Sequence, residues 1–239
     1  KKNQSLRLEL REGDNQGFGS PILITHSQNL LMNSVDTPEY VLGNDGSALV
    51  MWPERNSHGC GIKFVFRREA GAAFTEPRWI RESIEDMQHS FLSGVALNEG
   101  GFFITWIQSN KVLIPEGEAS EASLVGILLD YEGQLQKQFV LDPLVCDCCS
   151  IDSAIFDSGN VVVCYRNRDE DEVRDTFYVR GNPLTPESFS EPQSIRVEQW
   201  KTDVCPMNGP AIGSLGRFTT FAFFTNKPWE TERLQVSLS

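Results

Sequence analysis

The stretch LGNDGSALVMW, Leu42 to Trp52, decides the fold because it occurs four times. It returns as ALNEGGFFITW (Ala96 to Trp106), AIFDSGNVVVCY (Ala154 to Tyr165) and AIGSLGRFTTFAF (Ala211 to Phe223). Each copy has a small or apolar start, a glycine-bearing turn, and an apolar strand that ends on an aromatic. The turn glycines Gly46, Gly101, Gly159 and Gly216 stand 55, 58 and 57 residues apart. A second element keeps the same period. SLRLELREGDNQGFGSP (Ser5 to Pro21) matches GIKFVFRREAGAAFTEP (Gly61 to Pro77), with Phe18 and Phe74 placed 56 apart, and a third copy ends in FSEP, Phe189 to Pro192. Four short strands per repeat at about 55 residues is the signature of a propeller blade. The spacing predicts an all-β chain: one β-propeller domain of four-stranded antiparallel blades. Half a blade falls near 5–25, full blades near 41–82, 95–142 and 153–198, and a partial blade at 210–239. These blades fall short of the usual six or seven, so the expectation is an incomplete propeller.

Composition narrows the partners. The 239 residues are 40% hydrophobic and 23% charged, ordinary for a packed globular protein, with a net charge of -12. An acidic surface speaks against nucleic acid and anionic membranes, since phosphate binding needs a basic patch. No run of about 18 apolar residues is present, which excludes membrane insertion by a helix. The opening KKNQSLRLEL reads as a strand already under way, with no signal peptide. Six cysteines leave the compartment open by count, and nothing in the chain fixes its oligomeric state.

The meander sorts the loops. Connections from strand two to strand three, and from strand four to the next blade, open on one face. All three histidines and five of the six cysteines fall in those connections, Cys164 in VVVCY being the exception. The loop RNRDEDEVRD, Arg166 to Asp175, supplies Arg166, Arg168, Arg174 and Asp175 as candidates for an anionic or sugar ligand. His89 in EDMQHSF is a candidate rim ligand or acid/base, and Asn208 in CPMNGP a candidate amide donor. Trp200 and Trp229 lie in rim loops where a ring suits stacking on a sugar.

Two motifs carry a resemblance. The turn RREAGAAF (Arg67 to Phe74) resembles a worn Asp-box, matching its acidic, glycine and aromatic positions at Glu69, Gly71 and Phe74 while Arg67 replaces its Ser/Thr. CDCCSID, then YRNRDEDEVRD, then CPMNGPA resembles, in that order, a bacterial group of sialidase-like (BNR/Asp-box repeat) proteins, over most of the chain from about residue 41. The resemblance implies a six-bladed propeller in an exported protein. Active members hydrolyse terminal sialic acids with an arginine triad, a Tyr–Glu pair and an Asp acid. The Arg-Ile-Pro segment that carries one of those arginines has no match here, so no catalytic residue is carried over.

The thiols keep three readings. In an exported protein disulfides are favoured, with one of Cys146, Cys148 and Cys149 stapled to Cys205 of the next rim loop. A soft metal on Cys146, Cys148 and Cys205 is the weaker alternative, and no other cofactor is implied. A free reactive thiol is the third. The functional expectation is a propeller that binds or hydrolyses a glycan or other carboxylate-bearing ligand at a Cys/Arg-rich rim. The alternative is a noncatalytic propeller that binds a protein partner or a metal.

Overall fold

The computed structural model describes residues 5–33, 35–83, 87–110, 121–202, 207–216, 218–225 and 233–238. Strands β1 (Leu6–Leu10), β2 (Gly13–Asp14), β3 (Gly17–Phe18) and β4 (Ile22–Ser27) come first, with β1 paired to β4 and β2 to β3. The next blade is β5 (Glu39–Leu42), β6 (Ala48–Arg55), β7 (Cys60–Arg67) and β8 (Arg78–Arg81), each antiparallel to its predecessor. Then follow β9 (Met87–Ala96), β10 (Phe102–Asn110), β11 (Ala122–Leu129) and β12 (Leu135–Asp142). The fourth group is β13 (Asp152–Ile155), β14 (Val161–Arg166), β15 (Thr176–Gly181) and β16 (Gln193–Ser194). The last is β17 (Ala211–Leu215), β18 (Phe218–Thr225) and β19 (Arg233–Leu238).

The opening strand of each blade lies beside the opening strand of the next: β5 against β9, β9 against β13, β13 against β17. Sheets whose first strands gather around one axis make a β-propeller. The repeated turn explains the repeat in sequence. Gly43 N–H bonds to Ser47 O at 2.8 Å and Gly46 N–H to Gly43 O at 3.0 Å, with Gly46 at φ 81, a conformation that favours glycine. Leu97–Gly101 and Phe156–Asn160 close identical turns, so the position equivalent to Gly46 in the second hairpin is Gly100 rather than Gly101.

Why the second strands read as continuous apolar runs follows from where their two faces go. In β6, Leu49 and Met51 pack with Phe102, Ile104 and Trp106 of the next blade, while Val50 and Trp52 pack with Ile24 of the preceding one. In β14, Val161, Val163 and Tyr165 face Phe91, Phe103 and Leu124, whereas Val162 and Cys164 face Phe221 and Phe223. A strand buried on both sides loses the polar half of its alternation. Cys164 is accordingly a core thiol, its acidity pushed well down by burial.

In three of the second strands the aromatic of the repeat, Trp52, Trp106 or Tyr165, is fully buried and carries a polar tip, while β18 has Phe223, which carries none. Each tip meets an acceptor. Trp52 Nε1 donates to Glu54 Oε2 at 2.9 Å, Trp106 Nε1 to His89 Nδ1 at 3.0 Å, and the Tyr165 hydroxyl to Asp142 Oδ2 at 2.5 Å. His89 is therefore not a loop residue. β9 starts at Met87, two residues before it, and its every-other-residue burial places His89, Phe91, Ser93 and Val95 inside. The Trp106→Phe variant strands the His89 acceptor, so unfolding in urea is expected to show a loss of about 1–3 kcal/mol at unchanged m-value.

Candidate functional site

The face bearing the strand-two-to-three and strand-four-to-one connections is knitted together by backbone pairing. Leu31 N–H bonds to Pro53 O, Cys146 N–H to Arg166 O at 3.0 Å, and Arg174 N–H to Trp200 O at 2.8 Å. Asp142 begins the turn into the cysteine loop. Its carboxylate accepts from Leu144 N–H at 3.0 Å, Asn167 Nδ2 at 3.1 Å and the Tyr165 hydroxyl, and burial raises its pKa. Val145 N–H then bonds to Ala122 O at 2.9 Å, which swings Cys146 over the end of β14.

The sulfurs of Cys146, Cys148 and Cys149 lie within 4.8 Å of one another. Cys146 Sγ is 3.4 Å from Cys149 Sγ, 3.4 Å from Cys148 Sγ, and 3.3 Å from Arg174 Nη1. Cys146 and Cys149 are each 1% exposed. The hydrogen bond from Cys149 and the Arg174 guanidinium bring the Cys146 thiol down to about 6 against the opposing effect of burial, while the same bond and burial push Cys149 up. Cys60, Cys146, Cys149 and Cys164 are free thiols. Cys148 stands apart from that set as an engaged sulfur, and Cys205 lies outside the described residues.

The arginines reach inward. All three nitrogens of the Arg166 guanidinium are taken by backbone carbonyls: Nε by Asn208 O at 3.1 Å, Nη1 by Arg174 O at 2.7 Å and Nη2 by Phe224 O at 2.9 Å. Its guanidinium stacks 4.7 Å from the centre of the Trp200 ring, so one face of that ring is covered by the protein itself. Arg168 and Arg174 both grip Glu172, at 2.6 and 2.8 Å. Asp175 accepts the N–H groups of Glu198, Gln199 and Trp200, each at 2.9 Å, fixing a loop in which Gln199 has φ 54. Asn208 contributes its carbonyl to Arg166, and the next residue shows why the motif reads Asn-Gly-Pro: a Cβ at Gly209 would sit 1.9 Å from Ser150 O. His89 is fully buried, and desolvation lowers its pKa to about 4, so it is neutral at pH 7. Its Nδ1 accepts from Trp106, which leaves the proton on Nε2. Exposed His58 and buried Cys60 stand on opposite sides of the solvent boundary. Trp229 lies outside the described residues.

Sequence reasoning passed over two carboxyls. Glu39 opens β5 and Asp152 opens β13, each four residues before the turn residue that pairs across the hairpin, Gly43 and Phe156. The equivalent position in the blade between them is Ser93. Asp152 is held by the N–H groups of Ser153 and Ile212, both at 2.9 Å. Burial, then the charge of Asp152, raises Glu39 to about 7. Tyr40, directly after Glu39, helps line a cleft of about 750 Å³ that runs toward the hairpin turns, with Asn44, Asp45, Gly94, Asn98 and Ile155; Glu39 and Asp152 do not line it. The signal was available: lining up the four hairpins puts an acid in the same column of two of them.

No family model matches the sequence, and no curated relative does. Solved structures do resemble the fold. A Dyadobacter fermentans protein of unknown function is 11% identical with a TM-score of 0.63, over 96% of this chain and 63% of that one. The Hadza microbial sialidase Hz136 is 9% identical with a TM-score of 0.54, over 84% of this chain and 43% of that one. The Penicillium chrysogenum α-L-arabinanase complexed with arabinobiose is 12% identical with a TM-score of 0.57, over 98% of this chain and 67% of that one. At these identities the likeness establishes the propeller fold. The chain spans less than two thirds of the first two structures' lengths.

Two outcomes follow from the geometry. Replacing Arg166 by Met leaves three carbonyls from separate segments without their donor, and a loss of at least about 2 kcal/mol is expected in urea unfolding. Glu39 has a raised folded pKa, so its contribution to stability is present below about 4.5 and is lost as the pH rises through about 7. Glu39→Gln is expected to melt above the parent at pH 8 and to lose that advantage by pH 4, read by thermal scans across that range.

Proposed function

We propose that this chain forms the glycan-contacting portion of an exported propeller glycoside hydrolase, with Glu39 and Asp152 as its carboxyl pair. The observation that carries this reading is the placement of two carboxyls in the same register of two inner strands, close enough for the charge of Asp152 to act on Glu39. Glycoside hydrolysis needs one carboxyl that holds a proton near neutrality and one that stays charged. Glu39, raised to about 7, suits the proton donor. Asp152, raised by burial but held toward its charged form by two N–H groups, suits the partner that stabilises a cationic sugar. The sialidase and arabinanase among similar folds support a sugar as the ligand class. The Cys/Arg rim serves this site as a frame, since Arg166 is held by backbone carbonyls, Arg168 by Glu172, and Arg174 by Glu172 and Cys146. Within that frame we assign Cys148 as the thiol that bridges Cys205, a reading supported by the free state of Cys146, Cys149, Cys60 and Cys164. A nonreducing peptide map that joins residues 147–151 to 203–239 supports the bridge, and its absence removes it.

The test is turnover of a panel of aryl α-sialosides and aryl α-L-arabinofuranosides by the purified protein. Glu39→Gln and Asp152→Asn are each expected to lower kcat/KM at least ~100-fold, with parent activity falling above pH 7 as the donor loses its proton. Absence of turnover on the whole panel, or turnover that survives both substitutions, overturns the assignment.

A further inference from the structure

The dithiol of Cys146 and Cys149 lies outside the hydrolytic reading and is not needed for it. A frame would be served equally by two apolar side chains. Instead two free thiols at Cys-x-x-Cys spacing place their sulfurs 3.4 Å apart. Arg174 donates to the Cys146 sulfur at 3.3 Å and is itself fixed by Glu172 at 2.8 Å, with Arg168 gripping the same carboxylate. A pinned guanidinium selects the thiolate of one cysteine, the reactive form for oxidation. Both cysteines are almost wholly buried, so a bulky disulfide has no approach to either sulfur, whereas an oxidant the size of two water molecules meets a much smaller barrier.

We propose that Cys146 and Cys149 form a reversible oxidation site for hydrogen peroxide, with Cys146 attacking and Cys149 resolving. The Cys146 thiolate attacks one peroxide oxygen. The O–O bond breaks, a sulfur–oxygen bond forms, and hydroxide leaves and takes a proton from solvent to become water. The Cys149 thiol then attacks that sulfenic sulfur. A sulfur–sulfur bond forms, the sulfur–oxygen bond breaks, and the departing hydroxide takes the Cys149 proton as a second water. Two electrons pass from the two sulfurs to the peroxide, and an external dithiol returns them. The consequence is local: closing the pair takes the charge off Cys146 and leaves the Arg174 guanidinium with Glu172 alone, beside a cysteine loop that meets Gly209 through Ser150 and Arg166 O through the Cys146 N–H.

The experiment treats the whole protein with hydrogen peroxide at pH 6.5, traps remaining thiols with a maleimide, and cleaves before aspartate. That cleavage parts residues 142–146, which hold Cys146, from residues 147–151, which hold Cys148 and Cys149. The expected result is loss of two maleimide-reactive thiols, a link between those peptides assigned by fragmentation to Cys149, and recovery with dithiothreitol. Cys149→Ser is expected to stop at a sulfenic acid on Cys146 that dimedone captures. Arg174→Gln is expected to slow the parent reaction about tenfold. Where a variant fails to fold, the parent carries the test through its selectivity, with Cys146 reacting at least ~10-fold faster than Cys60 and Cys164, both raised by burial. Equal rates at all four free cysteines, a link to Cys148 instead of Cys149, or a stoichiometric bound metal whose removal is needed before any thiol reacts overturns the proposal. Loss of glycosidase activity in the earlier test leaves this chemistry untouched, so the two fail separately.

Discussion

Everything in this structure depends on burying both faces of each blade's second strand at once. A sheet that covers one face can leave the other to water, but β6, β10 and β14 are sandwiched between neighbours, and their residues are apolar in sequence runs rather than in alternation. The large aromatics Trp52, Trp106 and Tyr165 fill the widening space near the rim. Filling it with Trp and Tyr carries polar atoms inside, and each must find an acceptor there. Glu54, His89 and Asp142 are those acceptors, drawn in turn from the aromatic's own second strand (β6), the first strand of the same blade (β9) and the last strand of the preceding blade (β12). A packing requirement at the end of strand two thus reaches outward and fixes what the rim contains.

The rim continues the same logic. Once Asp142 is buried, it organises the turn that carries Val145 and Cys146 across to Ala122 and Arg166. Arg166, buried in turn, is satisfied by carbonyls from two later segments. Asp175 gathers three N–H groups of the Trp200 loop. Buried charges persist when their hydrogen-bonding positions are used; Arg166 and Asp175 use theirs on the backbone of adjacent connections, and Asp142 uses one backbone N–H and two side chains. The charged loop from Arg166 to Asp175 thus clamps adjacent connections together through its buried members.

That difference marks how far the sequence could be read. The propeller was legible because a hairpin with a glycine turn and a terminal aromatic recurs at nearly constant spacing, and that pattern is local. The burial of Cys164 and the grouping of the rim loops followed from it. The destination of a side chain was not legible, because it depends on partners tens of residues away. Arg166 bonds to Phe224 and Asn208, His89 to Trp106. No spacing rule announces those pairings. His89 was further disguised by a strand that is longer than its sister strands and opens on Met-Gln-His-Ser, with three polar residues before its first phenylalanine. Glu39 and Asp152 escaped for the opposite reason. Their column was visible, but an acid at the head of an inner strand is remarkable only once the axis is drawn.

Among the described residues, each hydrophobic cluster is built from a pair of blades, with Val35 of the connection before β5 as the one addition from outside its pair. The protein is thus mechanically a linear chain of couplings bent around an axis, closer to a solenoid than to a globule with a common centre. A cavity opened beside Met51 is felt by the β5–β8 and β9–β12 sheets, and it reaches β13–β16 only through the intervening blade. Substitutions in non-adjacent blades should combine almost independently, which gives a sequence of this design wide freedom to drift one interface at a time while its repeat stays recognisable.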